Sequence, residues 1–163
     1  MIRRPALWLV ALGVLLLDQA TKFWALHALD GGRSIDLAGE WFGLELVRNS
    51  GAALSLLGGT TWAVTIIMVI VTGGLVWYSR RATGTFALVL FGAALGGALG
   101  NLGDRLFREP SFGQGHVVDM IRYGDWFVGN VADIAIVGAA ALAIVSSWLG
   151  AHLLETEGEP RRP

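Results

Sequence analysis

Four long stretches of apolar residues, separated by more polar segments, dominate the pattern of the chain. They occupy about residues 5–29, 60–78, 84–102 and 131–154. Each is long enough to cross a hydrocarbon layer of about 30 Å as a helix that rises about 1.5 Å per residue. The pattern predicts a mainly α, polytopic membrane protein, with one integral-membrane domain over residues 1–163 and a disordered polar tail over about residues 155–163.

The arginines predict how these helices are oriented. Arginine pairs stand before the first stretch, between the second and third, and near the end of the chain: Arg3–Arg4, Arg80–Arg81 and Arg161–Arg162. With four spans, all three pairs fall on one side, which should be the cytoplasm, so we expect both termini there. The first stretch could also be a signal peptide, but it exceeds the usual ~7–15 apolar residues, and we interpret it as an uncleaved helix.

The two loops on the opposite side have patterns typical of strands rather than of linkers. In the first loop, residues 42–47 alternate in character, and residues 38–40 would turn the chain back onto residues 34–37. In the second loop, residues 115–121 are another candidate strand. We expect a small β-sheet in these outer, periplasmic-side loops, lying on the outer surface of the membrane.

Composition agrees with a membrane protein and excludes several kinds of chemistry. Of the 163 residues, 54% are hydrophobic and only 15% are charged, against about 25% charged residues in ordinary globular domains. The net charge of −1 gives no reason to expect a nucleic-acid partner. Cysteine is absent, the three histidines are scattered and no HExxH motif occurs, so we expect no disulfide, no thiolate nucleophile, no Cys-based metal site and no zinc hydrolase.

Asp18 and Lys22 lie four positions apart in the outer half of the first apolar stretch, so they share a helix face and can pair. An unpaired charge at that depth costs at least about 2.5–3.5 kcal/mol, which makes pairing close to obligatory. The pair could be a structural one that fixes helix packing, or it could help to position a substrate. The sequence leaves both alternatives open.

Asn49 and Gly51 belong to a run of small and polar residues in the first outer loop, residues 48–53. Asparagine and glycine together are typical of a turn, which alone would explain them. Small residues in a row also allow a backbone to approach a ligand closely, so the second interpretation is a place where a ligand is bound.

The third stretch combines a glycine pattern with polar residues. Glycine recurs at every fourth position over residues 92–100, a pattern that lets helices pack closely in lipid. Asn101, Asp104 and Arg105 follow it and would lie at the outer end of this helix. An ordinary polar helix end explains Arg105 well and Asn101 less well.

Asp119 in the second outer loop and Asp133 at the start of the fourth stretch are the main candidates for chemistry. Asn130 followed by Asp133 is typical of a helix N-cap, so each residue has a structural explanation by itself. Two carboxylates that meet in a partly dry site share a proton, and together they can activate water and protonate a leaving group. We predict that the pair meets beneath the outer membrane surface, with Asp133 more often ionised.

Five short motifs stand in the order found in bacterial lipoprotein signal peptidases, the signal peptidase II family. They are DQATK (18–22), NSGAALS (49–55), GNLGDR (100–105), VVDM (117–120) and GNVAD (129–133). The chain resembles this family from about residue 18 to residue 136. The expected four helices and outer loops are also similar to those of the family.

The resemblance implies an aspartic endopeptidase of the bacterial inner (cytoplasmic) membrane. It would remove the signal peptide from a prolipoprotein by cutting before a cysteine that carries diacylglycerol. Asp119 and Asp133 would be its catalytic dyad. The other motif positions would shape or support the site: Asp18, Lys22, Asn49, Gly51, Asn101, Asp104, Arg105, Asn130 and Ala132. The implied partners are prolipoproteins and membrane lipid, no metal or cofactor is needed, and we expect a monomer.

Two other functions fit parts of the sequence. A four-helix transporter or channel would also have ionisable residues and glycines in its helices, but it should show inverted repeats, and none is visible. A serine–lysine peptidase would use Lys22 with Ser50 or Ser55.

Overall fold

The computed structural model describes residues 4–51, 61–150 and 153–154, and the structural statements below concern these residues. Within them, four helices are long and apolar enough to cross a membrane: α1 Arg4–Ala28, α2 Thr61–Ser79, α3 Gly84–Phe107 and α4 Val131–Trp148. They confirm the four apolar helices predicted from the sequence. The predicted disordered tail, and Ser55 of the serine–lysine alternative, lie outside the described residues.

Two helix ends differ from the prediction. α3 continues to Phe107 instead of ending near residue 102, because the charged residues Asp104 and Arg105 are buried against partners rather than exposed at a helix end. α4 ends at Trp148 instead of near residue 154. Gly150 follows it with a φ of 81°, the left-handed conformation in which helices commonly end.

α3 is the central helix of the bundle, since 67% of its membrane-length segment is buried, against 22% or less in the other three helices. A Cβ at Gly92 would stand 2.7 Å from the carbonyl oxygen of Leu7, and one at Gly97 would stand 2.6 Å from that of Ala132. Only glycine permits these approaches, so α1 and α4 pack directly on the backbone of α3. The glycine pattern therefore serves packing within one chain.

The two outer loops form one antiparallel sheet with the strand order β1-β2-β3-β4. The strands are β1 Ser34–Ala38, β2 Phe42–Asn49, β3 Val117–Tyr123 and β4 Phe127–Gly129. The first three confirm the predicted strands, with β3 displaced by two residues. β4 is absent from the prediction because three residues are too few to show an alternating pattern. β2 and β3 pair with Val47 opposite Asp119, which joins two loops that are distant in sequence.

The sheet packs on the last turns of α1. Ala25 and Leu29 contact Val118 and Met120 of β3, and each of these side chains is at most 2% exposed. Successive residues of a strand face opposite sides, so Asp119, between Val118 and Met120, faces away from this apolar contact. The sheet therefore lies where α1 and α3 end and α4 begins, and this end of the bundle holds the candidate residues.

Candidate active site

Asp119 is held on β3 by two asparagine side chains. Its Oδ2 accepts a hydrogen bond from Asn49 Nδ2 at 2.9 Å, and its Oδ1 accepts one from Asn130 Nδ2 at 2.6 Å. The residue is only 2% exposed. Burial is the main cause that raises the pKa of Asp119 to about 6, and the charge of Asp133 acts in the same direction, while the two amide hydrogen bonds oppose them. Asp119 therefore holds its proton to a higher pH than an ordinary aspartate does.

Asp133 stands in the first turn of α4, where it completes a capping box with Asn130. Its backbone N–H donates to Asn130 Oδ1 at 2.9 Å, and its Oδ2 accepts from the Asn130 backbone N–H at 3.1 Å. Its other oxygen, Oδ1, accepts from Asn101 Nδ2 at 3.0 Å. The capping role predicted from the sequence is confirmed.

Asn130 joins the two carboxyl groups. It donates to Asp119 and exchanges two hydrogen bonds with Asp133. The same side-chain amide also donates to Asn101 Oδ1 at 3.1 Å, and Asn130 itself is 1% exposed. A buried amide with all these partners has a single orientation. The structure thus brings together Asp119 of β3 and Asp133 of α4, as the sequence predicts.

A second polar cluster, called here the lysine cluster, lies beside this pair and consists of Asp18, Lys22 and Asp104. The ammonium group of Lys22 contacts Asp18 Oδ2 at 2.8 Å and Asp104 Oδ2 at 2.9 Å, and it donates to Asn101 Oδ1 at 2.7 Å. These three acceptors match its three N–H donors. The predicted pairing of Asp18 with Lys22 is confirmed, and the cluster fixes Asn101, which in turn holds Asp133.

The lysine cluster also ties the surrounding elements together. Asp18 Oδ1 accepts from the backbone N–H of Ala132, at the start of α4, at 3.0 Å. Asp104 Oδ2 accepts from the backbone N–H of Val118, on β3, at 3.1 Å. Each carboxylate therefore anchors the backbone beside one of the candidate catalytic aspartates, Asp18 beside Asp133 and Asp104 beside Asp119.

Sequence reasoning missed two members of this network, Gln19 and Arg108. Arg108 Nε donates to Asp104 Oδ1 at 2.6 Å, and Gln19 Nε2 donates to the same atom at 3.2 Å. Arg108 stands four positions after Asp104, the spacing of an ion pair on a helix, so that signal was available. Gln19 carries no such signal, since its contacts cross from α1 to α3.

Arg105 and Gly51 lie on the other side of Asp119. Arg105 is 3% exposed, and its Nη1 donates to the carbonyl oxygen of Gly115 at 3.0 Å. The Gly51 N–H donates to Asn49 Oδ1 at 2.8 Å, which orients the amide that binds Asp119. Gly51 has a φ of +93°, so glycine is required here by the backbone. The geometry of this loop is therefore compatible with both interpretations, a turn and a place where a ligand approaches the backbone closely.

A groove of about 320 Å³ opens beside Asp133. Apolar and aromatic residues form most of its walls: Tyr123, Phe127, Gly129, Asn130, Asp133, Ile134, Val137 and Gly138. Ile134 and Val137 are 52% and 66% exposed on α4, so the groove continues onto a surface that is apolar enough to face lipid. Asp133 can thus be reached from the side of the bundle, with Asp119 behind it.

Two alternatives can be compared with this geometry. A lysine base for a serine nucleophile would need a free amine, but all three donors of Lys22 already have acceptors, and Ser50 is exposed. Among residues 4–51, 61–150 and 153–154, no three His, Cys, Asp or Glu side chains are grouped as metal ligands would be. The geometry thus favours carboxylate chemistry over a serine–lysine site.

The fold and the site together define a multi-pass membrane enzyme. Two solved chains described as bacterial membrane enzymes share the fold, each with a TM-score of 0.73. The first is 27% identical in sequence over 85% of this chain and 90% of its own. The second is 26% identical over 95% of this chain and 92% of its own.

The chain belongs to the signal peptidase II family. The sequence profile described as Signal peptidase (SPase) II matches residues 10–149. The lipoprotein signal peptidase of Mycobacterium avium (strain 104) is 45% identical over 141 residues, which are 86% of this chain and 78% of that protein. That of Rhodococcus jostii (strain RHA1) is 44% identical over 156 residues, covering 96% and 77%. These matches confirm the family resemblance and favour a peptidase over a transporter or channel.

Proposed function

We propose that this chain removes signal peptides from prolipoproteins as an aspartic endopeptidase, with Asp119 and Asp133 as its catalytic dyad. Family membership supports the substrate class. The observation that carries the aspartic mechanism is that one buried asparagine, Asn130, bonds both carboxyl groups at the end of an apolar groove. The bond to be cut is the one before the cysteine that carries diacylglycerol.

Such a reaction needs an ionised carboxylate as base and a protonated carboxyl group as acid, and the surroundings of the two aspartates differ accordingly. Asp133 lies at a helix N-terminus and faces the groove, which suits an ionised base. Asp119 is buried, and its raised pKa of about 6 suits an acid that holds a proton. Because the two groups interact, the titration belongs to the pair rather than to either residue.

The reaction then follows with a balanced movement of protons. Asp133 takes a proton from a water molecule while the water oxygen attacks the scissile carbonyl carbon. Asp119 donates its proton to the carbonyl oxygen. When the tetrahedral intermediate collapses, the C–N bond breaks and the amine leaves with the proton held by Asp133. Asp119 recovers a proton from the hydroxyl group that becomes the new carbonyl. Water has been added across the peptide bond, and the dyad is restored.

The proposed orientation places this site at the outer side of the bacterial inner membrane, with both termini in the cytoplasm. The signal peptide, itself an apolar helix, would enter sideways from lipid along the groove on α4. The turns of the sheet carry Trp41 and Trp126, which are 77% and 85% exposed, and tryptophan is enriched where membrane meets water. Use of the glycine pattern within one chain supports a monomer.

The test is cleavage of a diacylglyceryl-modified prolipoprotein by purified variants. Asp119→Asn and Asp133→Asn should each lower the rate by about 10²-fold or more, because each removes an acid or base from the reaction. Asp30→Asn is the matched control, since the same change at an exposed position should leave the rate unchanged. If both dyad variants fold and still cleave at the wild-type rate, the aspartic mechanism is wrong.

A further inference from the structure

A second cleft, of about 920 Å³, lies on the opposite face of β3 from the aspartates. Val118 lines it, while the neighbouring Asp119 faces the other side, as successive strand residues do. The cleft is enclosed by the end of α1, strand β2, the end of α3 and the chain that follows it. Its walls are formed by Leu26, Arg48, Phe107, Arg108, Glu109, Pro110, His116 and Val118. None of the proposed catalytic residues belongs to it.

The cleft combines an apolar wall with cationic side chains. Arg48 is exposed on β2, and the described residues give its guanidinium no hydrogen-bond or ion-pair partner. Arg108 binds Asp104 through Nε and Gln19 through Nη2, so its charge is balanced by Asp104, while the described residues give its Nη1 no acceptor. The cleft thus offers the donors of two guanidinium groups, of which that of Arg48 is unpaired within the part of the chain that the structure describes, and its lining contains one carboxylate, that of Glu109.

The position of the cleft restricts what can occupy it. Leu26 stands in the last turn of α1 and Phe107 is the final residue of α3, so the cleft opens where two membrane-length helices end. Phe107 and Phe112 form an edge-to-face pair with centroids 6.1 Å apart, and they are 80% and 75% exposed. Spanning helices end at the headgroup level of a bilayer, where the anionic group is a lipid phosphate with its acyl chains below it.

We propose that this cleft binds an anionic glycerophospholipid, with the phosphate between Arg48 and Arg108 and an acyl chain against Leu26 and Phe107. An arginine guanidinium matches phosphate well, because its planar donors can bind two oxygens at once. The site is separate from the dyad, but Arg108 connects it to the lysine cluster through Asp104. A bound lipid would therefore hold the outer ends of α1 and α3 together.

The test compares phosphatidylglycerol with phosphatidylcholine of the same acyl chains, bound to the purified full chain and counted by native mass spectrometry. The wild type should retain more phosphatidylglycerol, and Arg48→Gln should reduce that preference by roughly fivefold, the effect of losing one basic residue near an anionic lipid. Arg33→Gln is the matched control, because Arg33 is exposed and outside the cleft, and it should keep the preference.

A second variant tests for the opposite effect, stronger retention of phosphatidylglycerol. Glu109→Gln removes the acid from the cleft and should strengthen phosphatidylglycerol retention by a similar factor. Soluble glycerol 3-phosphate should not displace the lipid, since it lacks the acyl chains; full displacement would show that the phosphate alone is bound and would overturn the lipid assignment. Equal retention of both lipids by the wild type, or no change in either variant, would overturn the proposal as a whole.

Discussion

The lysine cluster and the aspartate pair lie side by side at the sheet end of the bundle, but they are built in opposite ways. Lys22 and Asp18 are 0% exposed and Asp104 is 1% exposed, and every N–H of the ammonium group has an acceptor. Among the residues that the structure describes, no cation bonds to Asp133, and the groove beside it opens onto the exposed apolar surface of α4.

The difference separates a structural use of buried charge from a reactive one. In the lysine cluster, the two carboxylates are balanced by Lys22 and by Arg108, which binds Asp104. In the aspartate pair, neutral amides hold two carboxyl groups close together, and burial raises the pKa of Asp119. We therefore expect changes in the cluster to alter folding stability most, and changes in the pair to alter chemistry and pH dependence most.

The largest effect on stability is expected for Lys22→Met. The substitution keeps an apolar stem but leaves the carboxylates of Asp18 and Asp104 buried without Lys22, which should cost about 3–5 kcal/mol of unfolding free energy. Reversible unfolding in mixed micelles, followed by tryptophan fluorescence, measures it. Arg33→Met, the loss of an exposed cation, should cost less than about 0.5 kcal/mol.

Adding Asp18→Asn to Lys22→Met sharpens this prediction. The double variant should regain part of the lost stability, because it no longer buries the unpaired charge of Asp18. A Lys22→Met protein that is as stable as the wild type, or a double variant less stable than Lys22→Met, would contradict the structural interpretation of the cluster.

The next effect is a pH dependence that comes from Asp119. Its pKa in the folded protein is about 6, above the ordinary value of 3.8, so folding favours the protonated form. Its stabilising contribution is therefore complete below about pH 4 and is lost as the pH rises through 6. Relative to Asp119→Asn, the wild type should lose about 2–3 kcal/mol of unfolding free energy between pH 4 and pH 7.

Unfolding curves at several pH values measure this difference. Asp30→Asn, at an exposed position, should show the same pH dependence as the wild type. A difference between the wild type and Asp119→Asn that stays constant from pH 4 to pH 7 would show that the pKa of Asp119 is not raised by folding.

A smaller effect is expected at Gly97, where α3 meets α4 close to both clusters. A Cβ there would stand 2.6 Å from the carbonyl oxygen of Ala132, so Gly97→Ala should push α4 away at a cost of about 1–3 kcal/mol. The rate of cleavage should fall too, since Asn101 would no longer reach Asp133. Gly103→Ala is the matched control in the same helix, because its Cβ would meet nothing within 4 Å.

Asn130→Ala removes the helix cap of α4, which by itself should cost about 1 kcal/mol, and it also removes the hydrogen bond to the buried Asp119, which adds to that cost. The same change removes a hydrogen bond that lowers the pKa of Asp119, so that pKa should rise. The alkaline limb of the pH–rate profile, along which the acid Asp119 loses its proton, should then move to higher pH. A profile that does not move would separate Asn130 from the dyad and leave it a purely structural cap.

Much of this arrangement is already contained in the amino-acid sequence. Spanning helices follow from the length and apolarity of single segments, and the ion pair of Asp18 with Lys22 follows from a spacing of four along one helix. The cap at Asn130 and Asp133 is equally local. Each of these features depends on residues that are close in the chain, and so a pattern in the sequence is enough to predict it.

The tertiary structure decides what those local features face. Asp104 joins Lys22 from a different helix, Gln19 crosses from α1 to α3, and Asn130 turns a routine helix cap into a link between two carboxyl groups. No period or spacing in the sequence indicates these contacts, because each depends on how closely α1, α3, α4 and β3 approach one another. Glycines such as Gly97 set that approach, and it is known only once the helices are packed.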